Sequence, residues 1–477
     1  MQGTCARPSS SVRASGYEVL SSAGGTVTTR GPRWTNSSVL KLAEDKDPID
    51  AITEKARQVV VAALDEGWSG PPFDPLWLAA FLNLDVIPRE DVGEARTVPV
   101  GKTKFRIEFN PNRPRGRQRY SLAHEIAHTL FADCGERIRH RASHEGITGD
   151  DWQLEALCNV AASEFLMPFG SMPTLSAPKL GVDHLMKMRK DFDVSTEALF
   201  IRAARITDEV CAMFCASAIE RGGAPASFRI EYMIGSRAWG PQALPRGTVV
   251  PTNSVVGECS AIGFTAKRLE TWGGAKYQVE CVGVPPYPGA LRPRIIGLIL
   301  PESSTPAPNR LRYLHGDALQ PRGEGKRLIV HLVNDATPNW GGAFAQALRK
   351  RWQIAQDDFR AWASDPKALK LGNVRFVDVE ENVTVATVVG QKGYGPSPRP
   401  RIRYQALSEA LFAVGNYAAQ RKCTVHMPRI GCGEAGGRWD VVQEIVSSRI
   451  CRAGSEVTVY DLPGREAKVP AQESLFS

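Results

Sequence analysis

The sequence predicts an α+β multidomain protein, with a mostly helical first half, a β-rich middle segment and a C-terminal α/β domain that layers helices on a sheet. Three observations carry this reading. At 477 residues the chain is too long for one hydrophobic core. Apolar residues recur at helical spacing between about residues 46 and 220, then give way to short strands broken by Gly and Pro. From about residue 310, strand-like and helix-like stretches alternate, as they do in an α/β layer fold.

Taken in order, residues 1–45 are rich in Ser, Thr, Gly and Arg without hydrophobic periodicity and are expected to be disordered. A domain over 46–222 opens with a helix in which Ile49, Ile52, Ala56, Val59, Val60 and Leu64 recur at helical spacing, followed by a short helix over Leu76–Leu84. Ile107–Asn110 reads as a strand able to pair with an extended peptide, as edge strands do. A Pro/Arg/Gly turn through Arg119 then leads into a helix. Another helix carries Trp152 to Pro168, and helices continue from Val182 to about Glu220.

Arg221-Gly222-Gly223-Ala224-Pro225 reads as a hinge into a β-rich extension over 226–303, with strands at Phe228–Tyr232, Tyr277–Cys281 and Ile295–Leu300. Glu302 to Pro308 reads as a linker. The last domain, 310–465, places strands at Arg327–Val333, Val374–Val379, Val383–Val389, Thr424–Met427 and Glu456–Tyr460. Helices fall at Ala343–Trp352, Tyr404–Arg421 and Trp439–Ile450, and 466–477 is a tail.

Composition narrows the function classes. Hydrophobic content of 43% and charged content of 23% are ordinary for globular protein. No run approaches 18 apolar residues, so no membrane span is expected, and the first residues lack the apolar core of a signal peptide. Ten cysteines are scattered without a CxxC pair, which favours buried free thiols in a reducing, cytoplasmic setting. Cys211 and Cys215 would share a helical face, but no partner pair accompanies them, which argues against a metal site there. The net charge of +8 raises a nucleic-acid reading. The arginine clusters at 113–119, 137–141 and 399–403 are not interleaved with aromatics and read as solvated loops, against direct nucleic-acid binding. The positive balance favours an anionic small ligand instead.

The most specific chemistry lies in His124-Glu125-Ile126-Ala127-His128, within the apolar pattern Leu122, Ala123, Ile126, Ala127 and Leu130. Four-residue spacing puts both imidazoles on one helical face, within reach of one ion. The neighbouring carboxylate is placed to deprotonate a water at that ion, the arrangement of a zinc hydrolase. A third protein ligand is required, and Glu155 and Glu164 are the candidates on the next helix.

The pentad, followed by Glu155-x-x-Cys158-Asn159-x-x-Ala162-x-Glu164-Phe165-Leu166-Met167-Pro168, resembles the ImmA/IrrE family of zincin-like metallopeptidases. The resemblance implies a zinc endopeptidase that cleaves a protein substrate such as a helix-turn-helix repressor. It makes His124, His128 and Glu155 the Zn²⁺ ligands and Glu125 the general base. Asn159, one turn beyond Glu155, would orient it from behind. Tyr232 and His184 are possible oxyanion stabilisers, and neither is singled out by the sequence.

In the last domain two glycine-rich strand-to-helix loops, Asn334 to Gly342 and Pro428 to Gly437, expose backbone N–H groups of the kind that cradle phosphates. With Gly316-Asp317-Ala318 and Trp439, they resemble the macro domain family, a three-layer α/β fold that binds ADP-ribose. That resemblance places Asp317 and Ala318 at the adenine and Asn334 at the distal ribose. Gly341, Gly342, Gly431, Cys432 and Gly433 fall at the diphosphate. Members that remove ADP-ribose use a lysine and, in some, an aspartate after the Gly-Cys-Gly loop. Here Ala435 stands at the aspartate position, and the lysine falls at Gln391 or Lys392. The implied partners are therefore a peptide substrate and ADP-ribose or an ADP-ribosylated protein, with ADP-ribosyl hydrolysis as the alternative activity.

Overall fold

A computed structural model describes residues 34–101, 104–136, 139–140, 149–172, 175, 180–221, 224–239, 247–251, 253–286, 291–302 and 310–462. Contacts divide the chain into two compact units, one drawn mainly from residues up to 307 and one mainly from 308–477.

The first unit begins with α1 (Ser37–Ala43), inside the stretch expected to be disordered. Asn36 caps it by accepting from the Ser38 and Val39 N–H groups, and Val39, Leu42 and Ala43 are buried. Seven residues are too few to show a period, so the sequence pattern missed it. The expectation for residues 1–33 lies outside the described residues. Next come α2 (Pro48–Asp65), α3 (Pro75–Phe81) and three strands, β1 (Asp85–Pro88), β2 (Ala95–Pro99) and β3 (Phe105–Phe109). The pentad helix is α4 (Arg115–His128), β4 is the short Arg139–His140, and α5 (Asp151–Leu166) packs across α4. Strand order is β1-β3-β2-β4, parallel between β1 and β3 and antiparallel elsewhere. Hence β3, expected to offer an edge to a peptide, is an interior strand.

The arginine cluster at 113–119 is also not a solvated loop. Arg115 to Arg119 form the first turn of α4, and Arg119 is buried, donating to the Phe73 carbonyl at 2.9 Å.

After α6 (Val182–Phe192) and α7 (Thr196–Ile206) the helical expectation fails, because Ala212–Arg221 is strand β5. With β6 (Ala224–Gly235), β7 (Thr265–Trp272), β8 (Ala275–Val284) and β9 (Arg294–Pro301) it forms a sheet ordered β6-β5-β9-β8-β7. β5 lies between β6 and β9, and Cys211 to Ala216 are all fully buried. A strand buried on both faces shows no alternation and reads like a buried helix. Cys211 and Cys215 thus do not share a helical face. The short α8 (Val255–Glu258) packs on this sheet.

The second unit is a six-stranded sheet ordered β10-β15-β14-β11-β13-β12. Its strands are β10 (Leu311–His315), β11 (Arg327–Asn334), β12 (Val374–Glu380), β13 (Val383–Gln391), β14 (Thr424–Pro428) and β15 (Val457–Asp461). All pairings are parallel except β12 with β13. Helices α9 (Ala343–Arg351), α10 (Gln353–Trp362), α11 (Tyr404–Arg421) and α12 (Trp439–Val446) connect the strands. Leu348, Phe359, Ile329 and Val385 form part of one core cluster. No helix among the described residues is long and apolar enough to cross a membrane.

Two predictions follow from this packing. Gly→Ala inside a helix ordinarily stabilises by roughly 1 kcal/mol. At Gly415 of α11, however, a Cβ would overlap the Arg449 carbonyl oxygen. Gly415→Ala is expected to lower stability by about 1–3 kcal/mol, read as a lower denaturant midpoint. Second, burial pushes His331 on β11 down to about 3 and His426 on β14 down to about 4. Both stay neutral in the folded unit, whereas the unfolded chain takes up protons near the ordinary value of 6.5. Stability is therefore full above pH 6.5 and falls as the pH drops from there toward 4 and 3. A denaturant midpoint that stays constant across that window contradicts this.

Candidate metal centre and ligand loops

α4 brings the pentad to α5 through small residues. Ala127 on one helix and Ala162 on the other, beside the polar faces, are buried, and small side chains there let two helices approach closely. The polar residues then meet in register. On α5, Glu155, Cys158 and Asn159 stand at i, i+3 and i+4, one face of the helix, opposite His124 and His128 at i and i+4 on α4.

The two imidazoles turn the same edge toward Glu155. His124 Nε2 is 2.9 Å from Glu155 Oε2, and His128 Nε2 is 3.7 Å from Oε1. Their other nitrogens are held from behind: His124 Nδ1 lies 2.9 Å from Asn159 Oδ1, and His128 Nδ1 lies 3.3 Å from Cys158 Sγ. Tyr120 donates its hydroxyl to the same Asn159 oxygen at 2.5 Å. Both histidines are buried, whereas the Glu155 side chain is 16% exposed, so the cluster opens on its glutamate side. Glu125 is fully buried and accepts from Thr97 Oγ1 on β2 at 2.8 Å.

These donors fit a divalent ion. Two ligand atoms held about 2.0–2.1 Å from a tetrahedral zinc stand roughly 3.3–3.4 Å apart. The 2.9 and 3.7 Å separations bracket that spacing. His124, His128 and Cys158 also form a compact buried group of possible ligands. The sulfur, however, faces Nδ1 of His128 while Glu155 faces Nε2, and one ion cannot be reached from opposite edges of the same ring.

Other candidates are placed elsewhere. Glu164 is fully buried 2.8 Å from Arg202 Nη2 and 3.6 Å from Arg57 Nε, inside the core of the unit. Tyr232 gives its hydroxyl to Glu197, which Arg294 also holds at 3.0 Å. His184 lies on α6. Thr97, Tyr120 and Cys158 were not marked by the sequence as contributors, because their partners are defined only by the fold.

In the second unit, β11 ends at Asn334 and β13 at Gln391, and these two residues are in register. Asn334 Oδ1 accepts from the Ala336 and Thr337 N–H groups, both at 2.9 Å, and so shapes the loop that reaches Gly341 and Gly342. Asp335 carries the tie onward by accepting from Gly393 N–H at 2.7 Å. Ala435 accepts from the Arg401 and Ile402 N–H groups, which joins the 428–437 loop to the same assembly. Gly431 has φ +74° and a Cβ there would run into Ile402, so glycine is required. Nothing stands within 4 Å of a Cβ at Gly341 or Gly433, and the Glu434 carboxylate faces Gly342. Burial pushes the Cys432 thiol up to about 12, so it stays uncharged. Asp317 accepts from Leu319 N–H at 2.9 Å and Ala318 is buried. Lys392 is exposed.

Comparison with known proteins matches each part separately. The family model of the IrrE N-terminal-like domain, Peptidase_M78, covers residues 89–203. A macrodomain protein from Streptomyces coelicolor is 40% identical across 98% of its own length and 32% of this chain, with a TM-score of 0.29. The chain joins an IrrE-type Peptidase_M78 domain to a macrodomain. A protein of unknown function from Bacteroides thetaiotaomicron is 39% identical over 98% of its length and 32% of this chain, with a TM-score of 0.31. Chromodomain-helicase-DNA-binding protein 1-like of Danio rerio is 30% identical over 159 residues, 31% of this chain but only 15% of that protein.

The Peptidase_M78 domain yields a test of the ligand set. Glu164→Ala would leave Arg202 buried without its carboxylate and is expected to cost about 3–5 kcal/mol in chemical denaturation. Metal content per folded chain should be unchanged; loss of the metal in a folded variant would make Glu164 a ligand.

Proposed function

We propose that the first unit is a zinc-dependent endopeptidase and that the macrodomain binds ADP-ribose or an ADP-ribosylated protein. The observation carrying the peptidase reading is the convergence of His124 Nε2, His128 Nε2 and the Glu155 carboxylate beside a buried Glu125. The match to Peptidase_M78 supports it. When bound, zinc supplies Lewis acidity that polarises a carbonyl and acidifies water.

The remaining work belongs to the chain. His124, His128 and Glu155 hold the ion. Thr97 orients Glu125 through the hydrogen bond to Oε2, so the carboxylate is aimed before substrate arrives. Glu125 takes a proton from the attacking water and passes it to the leaving amine nitrogen as the peptide bond breaks. A regulatory protein such as a repressor is the proposed substrate.

Glu125→Gln is expected to lower the rate of peptide-bond cleavage at least a hundredfold while zinc content stays near one per chain. The assay is identification of new peptide termini in a host proteome incubated with each form. Equal cleavage by the variant would remove Glu125 from the mechanism.

For the macrodomain, the open glycines 341 and 433 and the tied loops around Asn334 support a site for a diphosphate-linked ligand. Hydrolysis of ADP-ribosyl bonds is the second reading. The exposure of Lys392, with Gln391 in register beside Asn334, favours binding over hydrolysis. Calorimetric titration with ADP-ribose should give saturable heat in wild type and at least tenfold weaker binding in Asp317→Ala, since a charge-assisted contact is worth about 1.5–3 kcal/mol. No heat from wild type would contradict the assignment.

A further inference from the structure

The two pentad histidines are held from behind by different chemistry. A neutral imidazole carries one ring proton, and an ion bound at Nε2 requires that proton on Nδ1. For His124 the acceptor is an amide oxygen, Asn159 Oδ1, itself fixed by Tyr120. For His128 the sulfur of Cys158 stands at Nδ1, at 3.3 Å. Cys158 is fully buried on the α5 face that carries Glu155 and Asn159. Thiol-to-metal coordination is the competing use of this residue, since the same sulfur belongs to a compact His-His-Cys group. The edges of the ring decide between them: Glu155 stands at Nε2 and Cys158 at Nδ1.

We propose that Cys158 is the positioning residue of His128, accepting the Nδ1–H bond through its sulfur and so presenting Nε2 to the metal, and that it is not itself a ligand. The inference rests on the zinc-peptidase reading above. It goes further by assigning how the second histidine is oriented. A thiol sulfur is a weak acceptor, so His128 is held less firmly than His124. The affinity of the site for its ion is therefore set in part by residue 158.

The test uses the full chain freed of metal. Zinc affinity is measured by competition with a chelating dye for wild type, Cys158→Ala and Cys158→Ser, after thermal melts show that the metal-free forms fold alike. The expected result is about ten- to a hundredfold weaker zinc binding in Cys158→Ala. Cys158→Ser, which keeps an acceptor, should bind zinc more tightly than Cys158→Ala. Packing alone would favour the apolar alanine over the serine, so alanine binding as tightly as serine, or as tightly as wild type, overturns the proposal. Should alanine disrupt the fold, the serine variant and the spectrum below still decide.

Cobalt substitution supplies the second readout. Wild type should show visible ligand-field bands without a near-ultraviolet sulfur-to-cobalt charge-transfer band, and the variants should keep the same spectrum. A charge-transfer band in wild type that vanishes in both variants makes Cys158 a ligand and overturns the proposal. Failure of the peptidase reading itself has a different signature: wild type would take up neither zinc nor cobalt.

Discussion

The register of α4 against α5 is the constraint on which the candidate centre depends. Residues at i and i+4 on one helix meet residues at i, i+3 and i+4 on the other, and the contacts of His124 and His128 with Glu155, Cys158 and Asn159 cross that seam. Sliding either helix by one residue would rotate its polar set by about 100° and separate the imidazoles from Glu155. The fully buried Leu157, Ile126 and Phe165 make a slipped register costly. Function and packing are therefore set by the same contact.

Around this seam the chain orders its donors in two shells. Two Nε2 atoms and a carboxylate face one point, while Asn159, Tyr120, Cys158 and Thr97 hold the groups that face it. The macrodomain uses a different device. Its two glycine-rich loops follow parallel strands and are tied together by backbone N–H groups that donate to Asp335 and Ala435.

How much of this was legible in the sequence depended on how local the signal was. The pentad declares itself because four-residue spacing is a property of one helix. The glycine loops do so because Gly431 must adopt a left-handed conformation that few other residues tolerate. Glu155 as third ligand came from the family resemblance; spacing alone left Glu164 open, and only the fold shows Glu164 between two arginines. Thr97 lies 28 residues from Glu125, and no pattern in either segment connects them. β5 was read as helix because an interior strand is apolar on both faces, and the 113–119 arginines were read as loop because their helix turns on packing beyond the cluster. Charge and period describe a segment; they do not say what covers it.

In the proposed centre one ion is held between α4 and α5 by His124, His128 and Glu155. The most direct measurement is an anomalous difference map from crystals of the zinc-loaded protein, recorded on both sides of the zinc edge. A single peak about 2.0–2.2 Å from both Nε2 atoms and from a Glu155 oxygen is the predicted result. A peak bonded to Cys158 Sγ, or no peak at this seam in zinc-saturated crystals, would contradict it.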